Sequence, residues 1–528
     1  MMFANLGKYM RFIVRRERIN SLIWIVCLAA FTISMALLYP NLFQTHEDLV
    51  NMWTALNTPA MVAMMGPMYG ADSITLSIAM AQECMIWIAI TAIVMNILFV
   101  NRHTRADEET GCHQILTSLP IGRLTTPLGT IKLAFLLNLT IAIVSALGLI
   151  ATGLEGMSVA GAFSYALSIG AQGMVFAAIT LLTAQLFSTS KGCLGVAFAI
   201  LGLSYVLRAS GDMNDNVLSI ISPLGLGLRI QAFYKNDFLP VIILFIEAIV
   251  ITGIALWFHF HRDIGSGIFP AKKGKAHASL FLQSTFGFAW RLSRGAFVAW
   301  GIAIFVISAM YGTVIGELGE FVKGNNVLQQ IMGSGSGQSI VEDALPMLCG
   351  VMALIATIPV ITSITRIYGE EKRHRIEQLY AASVSRKSIF GSFISIAVLE
   401  AIVFTLLSAI GLYSTSQGTS LLSLRTIVES SFIFVPAILV LAGLTALFIG
   451  IAPRCSVLVW ALFGYSFFVL YFGRLFNLPK WAINISPFGT IPILKDVTAS
   501  PLIMLCLIAI ALCLVGFWGG YKRRDIKG

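Results

Sequence analysis

Apolar residues occur along this chain in blocks of roughly twenty, and the polar positions collect between the blocks instead of alternating within them. The first block runs from Ile19 to Tyr39, behind a segment that carries Lys8, Arg11, Arg15, Arg16 and Arg18. At about 1.5 Å per residue, a helix over such a block crosses a hydrocarbon core of about 30 Å. It is longer than the apolar core of a signal peptide, about 7–15 residues, and contains Trp24, so it reads as a retained first span. Further blocks of spanning length lie near 76–100, 128–153, 163–187, 192–209, 238–260, 294–315, 344–365, 391–413, 425–450, 456–473 and 500–520. The expected fold is an all-α integral membrane protein of about 12 transmembrane helices. Ahead of the first span, Leu6, Met10, Ile13 and Val14 are interleaved with the five cations, the pattern of an interfacial helix.

Composition agrees with the pattern. Apolar residues make up 57% and charged residues 11%, with mean hydropathy +0.86. A soluble domain has about 25% charged residues to cover itself with, so the bilayer must be the solvent. The net charge of +10 changes the picture only through its placement. The great majority of the 35 Lys and Arg fall in every second connecting segment, and none lies between Arg18 and Arg102. Basic residues concentrate in cytoplasmic loops, so both termini are expected to be cytoplasmic and the number of spans even. The charge therefore calls for no nucleic acid, and a multi-pass membrane protein is the expected setting. The eight cysteines form no CxxC pair or zinc spacing and read as small buried apolar residues.

The two halves match each other. Asp107, Glu108, Leu116 and Arg123 recur as Glu370, Glu371, Leu379 and Arg386, all at an offset of 263, and Lys191 recurs as Arg454 at the same offset. Ser222-Pro223-Leu224-Gly225 recurs as Ser486-Pro487-Phe488-Gly489 at 264. Six spans per half make this a parallel repeat about an axis along the membrane normal. The predicted division is a first half over 1–265, a basic cytoplasmic linker over 266–290 and a second half over 291–528. Lys272, Lys273 and Lys275 with Pro270 and Gly274 suit a flexible linker lying on an anionic inner leaflet.

The charged segments after the second span of each half are the most distinctive motifs. The first, Arg102–Arg123, reads RHTRADEETGCHQILTSLPIGR, and the second, Arg366–Arg386, reads RIYGEEKRHRIEQLYAASVSR. Each can be a solvated loop, or a rigid docking helix that offers charge and apolar contact to a cytoplasmic partner. With its matched second copy, the pattern RHTRxxEExGxxxxLxxxPxGR resembles the permease subunits of type-2 ATP-binding-cassette exporters. More narrowly, the chain resembles the fused two-half permeases that export polyketide antibiotics or multiple drugs. The resemblance covers essentially the whole chain.

That resemblance implies coupling helices docking on two ATPase subunits, the same or different, at Arg105, Asp107, Glu108, Glu109, Gly111, Leu116 and Arg123. In the second copy it implies the same role for Glu370, Glu371, Arg375, Glu377, Leu379 and Arg386. It also implies that Ser222, Pro223 and Gly225, and Ser486, Pro487 and Gly489, belong to short external helices capping a pathway for hydrophobic or amphipathic compounds. Two departures make the docking sites unequal. The first copy keeps Gly111 but has Cys112 and Gln114, and the second keeps Arg375 and Glu377 but has His374 for the glycine.

Catalytic and metal-binding chemistry is not legible. No G-x-x-x-x-G-K-[ST] occurs, so if transport is ATP-driven, as the resemblance implies, ATP and Mg belong to separate partner chains, and this chain is expected to bind no cofactor and to be no enzyme. Gly333–Ser339 is glycine-rich without the lysine and reads as a flexible loop. No HExxH occurs, and His259 and His261 beside Arg262 read as interfacial anchors. Intramembrane acids are a default functional hypothesis. Glu247 and Glu400 fall near the middle of the sixth and ninth spans, where each either lines the pathway or hydrogen-bonds between helices; Glu83 and Glu429 fall nearer the outer face. An ATP-driven exporter, a proton-driven secondary multidrug transporter using Glu247 and Glu400, and a membrane enzyme for lipid-linked substrates are the competing readings. The last has only scattered acids such as Asp212, Asp215 and Asp237 behind it.

Overall fold

The computed structural model describes residues 2–214, 216–263, 265–269, 277–323, 337–381, 384–416, 423–472, 478–491 and 499–523. Among them 12 helices are long and apolar enough to cross a membrane, and the only extended pairing is one isolated bridge. The chain divides into two compact units, Met1–Lys273 and Gly274–Gly528. The first unit holds α1 (Leu6–Leu42), α2 (Leu76–Glu109), α3 (Thr125–Thr152), α4 (Val159–Leu186), α5 (Ser190–Met213) and α6 (Leu239–His261). The second holds α7 (Thr285–Thr313), α8 (Leu345–Lys372), α9 (Arg386–Thr415), α10 (Leu424–Ile451), α11 (Pro453–Leu470) and α12 (Ser500–Tyr521). The fold is an all-α polytopic membrane protein.

Short polar turns start many of these helices. Ser158, Thr189, Ser385 and Ser423 each accept a hydrogen bond from the backbone N–H three residues on, at 3.0–3.1 Å. A side-chain oxygen at this position satisfies a donor that the helix leaves open. Thr189 thereby closes the tight turn between α4 and α5. Within the first unit α4 is the most buried span and packs against α2, α3 and α6. Within the second, α9 packs against α7 and α8, and α10 against α8 and α12.

Three expectations need correction. The apolar block of the second span ends near Val100, but its helix continues through a π-helical turn, Arg102–Ala106, and on to Glu109. The matching helix of the second unit runs to Lys372. Helix α1, by contrast, is continuous over 37 residues and carries the N-terminal basic segment into the first span without a break. Only Cys84, Cys193 and Cys349 of the eight cysteines are buried. Of the glycine-rich stretch, Gly337–Ser339 open the helix Gly337–Lys372. Residues 333–336, like Asp215 and linker residues Lys272, Lys273 and Lys275, lie outside the described residues.

Candidate coupling site

One end of each unit carries its charged segment, here termed the charged end. In the first unit the acids of that segment turn inward. Asp107 is buried and accepts a bidentate pair of hydrogen bonds from Arg16 of α1, at 2.8 and 2.9 Å. One residue along α1, buried Glu17 pairs with Arg102 at 3.1 Å and lies 3.3 Å from the His103 ring. Glu108, whose side chain is 5% exposed, sits between the guanidinium of Arg105 and that of Arg262, the latter at 2.5 Å. Arg262 follows directly on α6 and also donates to Gln185 Oε1 of α4 at 2.7 Å. His259 bridges Gln185 Oε1 at 2.9 Å and the carbonyl of Arg123 at 3.1 Å, so it is a buried link and not an interfacial anchor. His261 is exposed and packs on Trp257.

These contacts tie α1, α2, α4 and α6 together at the charged end. Charge-assisted hydrogen bonds with bidentate geometry are the strong ones. The expectation that Asp107 and Glu108 stand on a docking face is therefore corrected: they hold the segment to its own unit. Glu109 is exposed, but its carboxylate accepts from the Ser190 N–H at 2.9 Å, which joins the segment to α5. Sequence reading missed Arg16, Glu17 and Gln185. An acid next to an arginine on the amphipathic face of α1 was the available signal.

After Glu109 the chain reverses at Gly111, with φ +80°. Left-handed backbone is where glycine is free of the Cβ penalty. A short helix, Cys112–Thr117, follows. It buries His113 and packs Leu116 on Tyr9, Ile13 and Leu133, leaving Cys112, Gln114 and Ile115 exposed.

The second unit repeats the geometry with other chemistry. Glu370 and Glu371 are buried, and Glu370 lies 3.5 Å from the Arg375 guanidinium. The reversal falls on His374, φ +56°, at the position matched to Gly111. The helix Arg375–Ala381 follows, with Leu379 packed on the core and Arg375, Glu377 and Gln378 exposed. The exposed surface is largely uncharged in the first copy and charged in the second. Arg123 and Arg386 play one part in both units. Arg123 donates to the carbonyl of Arg262 at 2.5 Å and lies over Phe260. Arg386 donates to the carbonyls of Tyr521 and Lys522 at 3.2 and 3.3 Å and lies over Tyr380. Each fastens the end of its unit's last span, where helix carbonyls lack intrahelical donors.

At the opposite end, Ser222 is buried and donates to the carbonyl of Ser204 at 2.6 Å, and Pro223 opens the buried helix Pro223–Leu228. A Cβ on Gly225 would collide with the carbonyl of Ser219, and one on Gly489 with the carbonyl of Ile483. These are matched pairs at an offset of 264, so the element is one backbone-on-backbone contact used twice. Ser486 is buried likewise, and Pro487 precedes Phe488, which stacks on Phe434.

The proposed pathway acids belong to different units, Glu247 to the first and Glu400 to the second. Glu400 is buried in the second unit and accepts from Ser363 at 2.7 Å, as an interhelical hydrogen-bond partner of α8 and α9. At the matching crossing of α2 and α3, Asn96 and Asn138 exchange hydrogen bonds at 3.0 and 2.8 Å. Glu247 is half-buried on α6. Glu83 accepts from Tyr39, and Glu429 pairs with Arg425 at 2.7 Å. Among the described residues no group of His, Cys, Asp and Glu could hold a metal ion.

Twelve apolar helices in two matched units, each unit with a charged segment at one of its ends, define a polytopic membrane protein. Residues 282–520 match the family described as multidrug efflux system permease Rv1217c, C-terminal domain. Multidrug efflux system permease protein Rv1217c of Mycobacterium tuberculosis (strain ATCC 25618 / H37Rv) is 30% identical over 530 residues, covering 98% of this chain and 94% of the relative. The chain belongs to this multidrug efflux permease family.

Proposed function

We propose that the chain is the transmembrane subunit of an ATP-binding-cassette exporter that moves hydrophobic or amphipathic compounds, antibiotics among them, out of a bacterial cell. ATP, with Mg, is hydrolysed on two separate subunits that dock at the charged end, which faces the cytoplasm together with both termini. The observation that carries the reading is the matched pair of charged segments. Each extends a span by rigid helix, reverses in left-handed backbone and presents a short helix. A lever must be stiff where it joins its span and open where it meets its driver. The buried acids supply the first property and the exposed faces of the short helices the second.

The proposed cycle follows from that mechanics. Closure of the partner ATPases pushes the short helices, the ion-paired ends of α1, α2, α4 and α6 move as one body, and the pathway changes access. The short buried helices at the opposite end would cap it.

The test uses exposed residues, because reversing buried Glu108 would disrupt the segment itself. The full chain is co-purified with its candidate ATPase, as wild type and with Ile115→Asp or Glu377→Arg. Reduced capture and loss of ATP-dependent drug efflux, with the fold intact by circular dichroism, is the expected result. Full ATPase capture and efflux in both variants, or efflux that collapses with a protonophore while ATP is present, would overturn the reading.

A further inference from the structure

Between α3 and α6 of the first unit runs an open apolar groove of about 650 Å³. A second hollow of about 380 Å³ shares Phe135, Met174, Phe245 and Ile249 with it, so the two adjoin along the helices. Along α6 the lining extends from Phe245 to Leu256, about 16 Å at the helical rise. That is the depth of one leaflet of a hydrocarbon core about 30 Å thick. The lining is almost wholly apolar and contains no acid.

One lining residue breaks the pattern. Lys132 projects from α3 in the half of the groove nearer the charged end, is exposed, and has no ion-pair partner among the described residues. An ionisable side chain at membrane depth calls for a named partner, and no carboxylate among the described residues supplies one. Arg123, over Phe260 one turn beyond Leu256, adds a second cation at the same end. At the position matched to Lys132 the second half has Ser395, so the charge belongs to one unit alone.

The geometry points to a binding site for an anionic phospholipid: an acyl chain lies in the α3–α6 groove and the phosphate pairs with Lys132. That the lipid comes from the inner leaflet rests on the cytoplasmic placement of the charged end; the site itself does not. The occupant is chosen by charge complementarity. A neutral amphiphile would fill the groove and leave the ammonium unpaired, whereas a phosphate headgroup satisfies both features.

Gly253 provides an unusually clean probe. It lines the groove, and a Cβ added there meets no atom within 4 Å. The Cβ of Gly253→Phe therefore enters open space at the groove wall, which makes this the variant placed to fill the groove. The experiment is native mass spectrometry of the purified full chain titrated with dioleoyl phosphatidylglycerol or dioleoyl phosphatidylcholine. Wild type is expected to retain phosphatidylglycerol about fivefold more tightly than phosphatidylcholine, the worth of one cation at an anionic headgroup. Lys132→Gln should abolish that preference, and Gly253→Phe should remove retention of both lipids. Lys387→Gln, an exposed lysine at the charged end of the other unit, should change nothing. Equal retention of the two lipids by wild type, equal effects of Lys387→Gln and Lys132→Gln, or full retention by Gly253→Phe would each overturn the site. Displacement of the lipid by a neutral drug that occupies the groove equally well in Lys132→Gln would do the same. Failure of the ATPase capture experiment would sink the exporter reading and leave this one standing, since lipid retention involves no ATPase.

Discussion

Glu108→Ala tests how the first charged segment is held. The carboxylate lies between the guanidinium groups of Arg105 and Arg262, whose side chains are 1% and 4% exposed. Truncation leaves both cations buried beside each other, with Arg105 still donating to the carbonyl of Phe187 and Arg262 to Gln185. Removing one partner of a buried ion pair costs about 3–5 kcal/mol, because the remaining charge is left uncompensated. The cost falls on local opening of the segment, since the apolar spans do not depend on it. Converted at 1.4 kcal/mol per tenfold, amide hydrogen exchange over Asp107–Thr117 should accelerate by roughly two to three orders of magnitude. Protection within α3 and α4 should hold. Arg262→Ala and the double variant complete a cycle, and the two single losses should exceed the double loss by more than about 1 kcal/mol. An acceleration below about fivefold, or losses additive within about 0.5 kcal/mol, would refute the clamp and return Glu108 to a solvated loop.

Three further outcomes follow from the same geometry. His374→Gly removes a left-handed non-glycine residue, a conformation costing about 1–2 kcal/mol, but also its 2.9 Å contact with Glu377; a gain of up to about 1 kcal/mol in local hydrogen-exchange stability is expected, and a loss would show that the contact outweighs the strain. Gly225→Ala and Gly489→Ala each force a Cβ onto a backbone carbonyl, so each should lower stability in denaturant titration by about 1–3 kcal/mol; tolerance of either would mean that the matched contacts are loose. Glu400→Gln keeps an acceptor for Ser363 and should leave efflux by vesicles unchanged in the presence of ATP, whereas abolished efflux with ATPase capture intact would move the proton-driven reading ahead.

Spans and repeat were legible because both are carried by long stretches of chain. Twenty apolar residues can satisfy their backbone only as a helix in lipid, whatever their neighbours, and duplicated loops keep their spacing whether or not they touch. The left-handed turn was not read from the sequence: Gly111 was the available signal, while His374 conceals the same backbone behind an ordinary side chain. The boundaries of the charged segments were not legible, since hydropathy falls at Val100 and the helix does not. Polarity ends the apolar block, but the hydrogen bonds of α2 continue because Arg102, His103, Arg105, Asp107 and Glu108 find partners there.

Those partners are what tertiary structure alone decided. Arg16 stands 91 residues from Asp107, and Arg262 stands 154 from Glu108. A charge in sequence has no preference between water and a distant counter-charge until packing brings the two ends together. The same holds for Glu400, whose neighbour Ser363 was one hydroxyl among many until α8 and α9 crossed. The amino-acid pattern determined that this chain lives in a bilayer as two copies of one design. Which acids stay exposed and which lock the chain to itself depended on where the helices of one unit ended beside one another, because burial, not residue type, sets what a carboxylate is for.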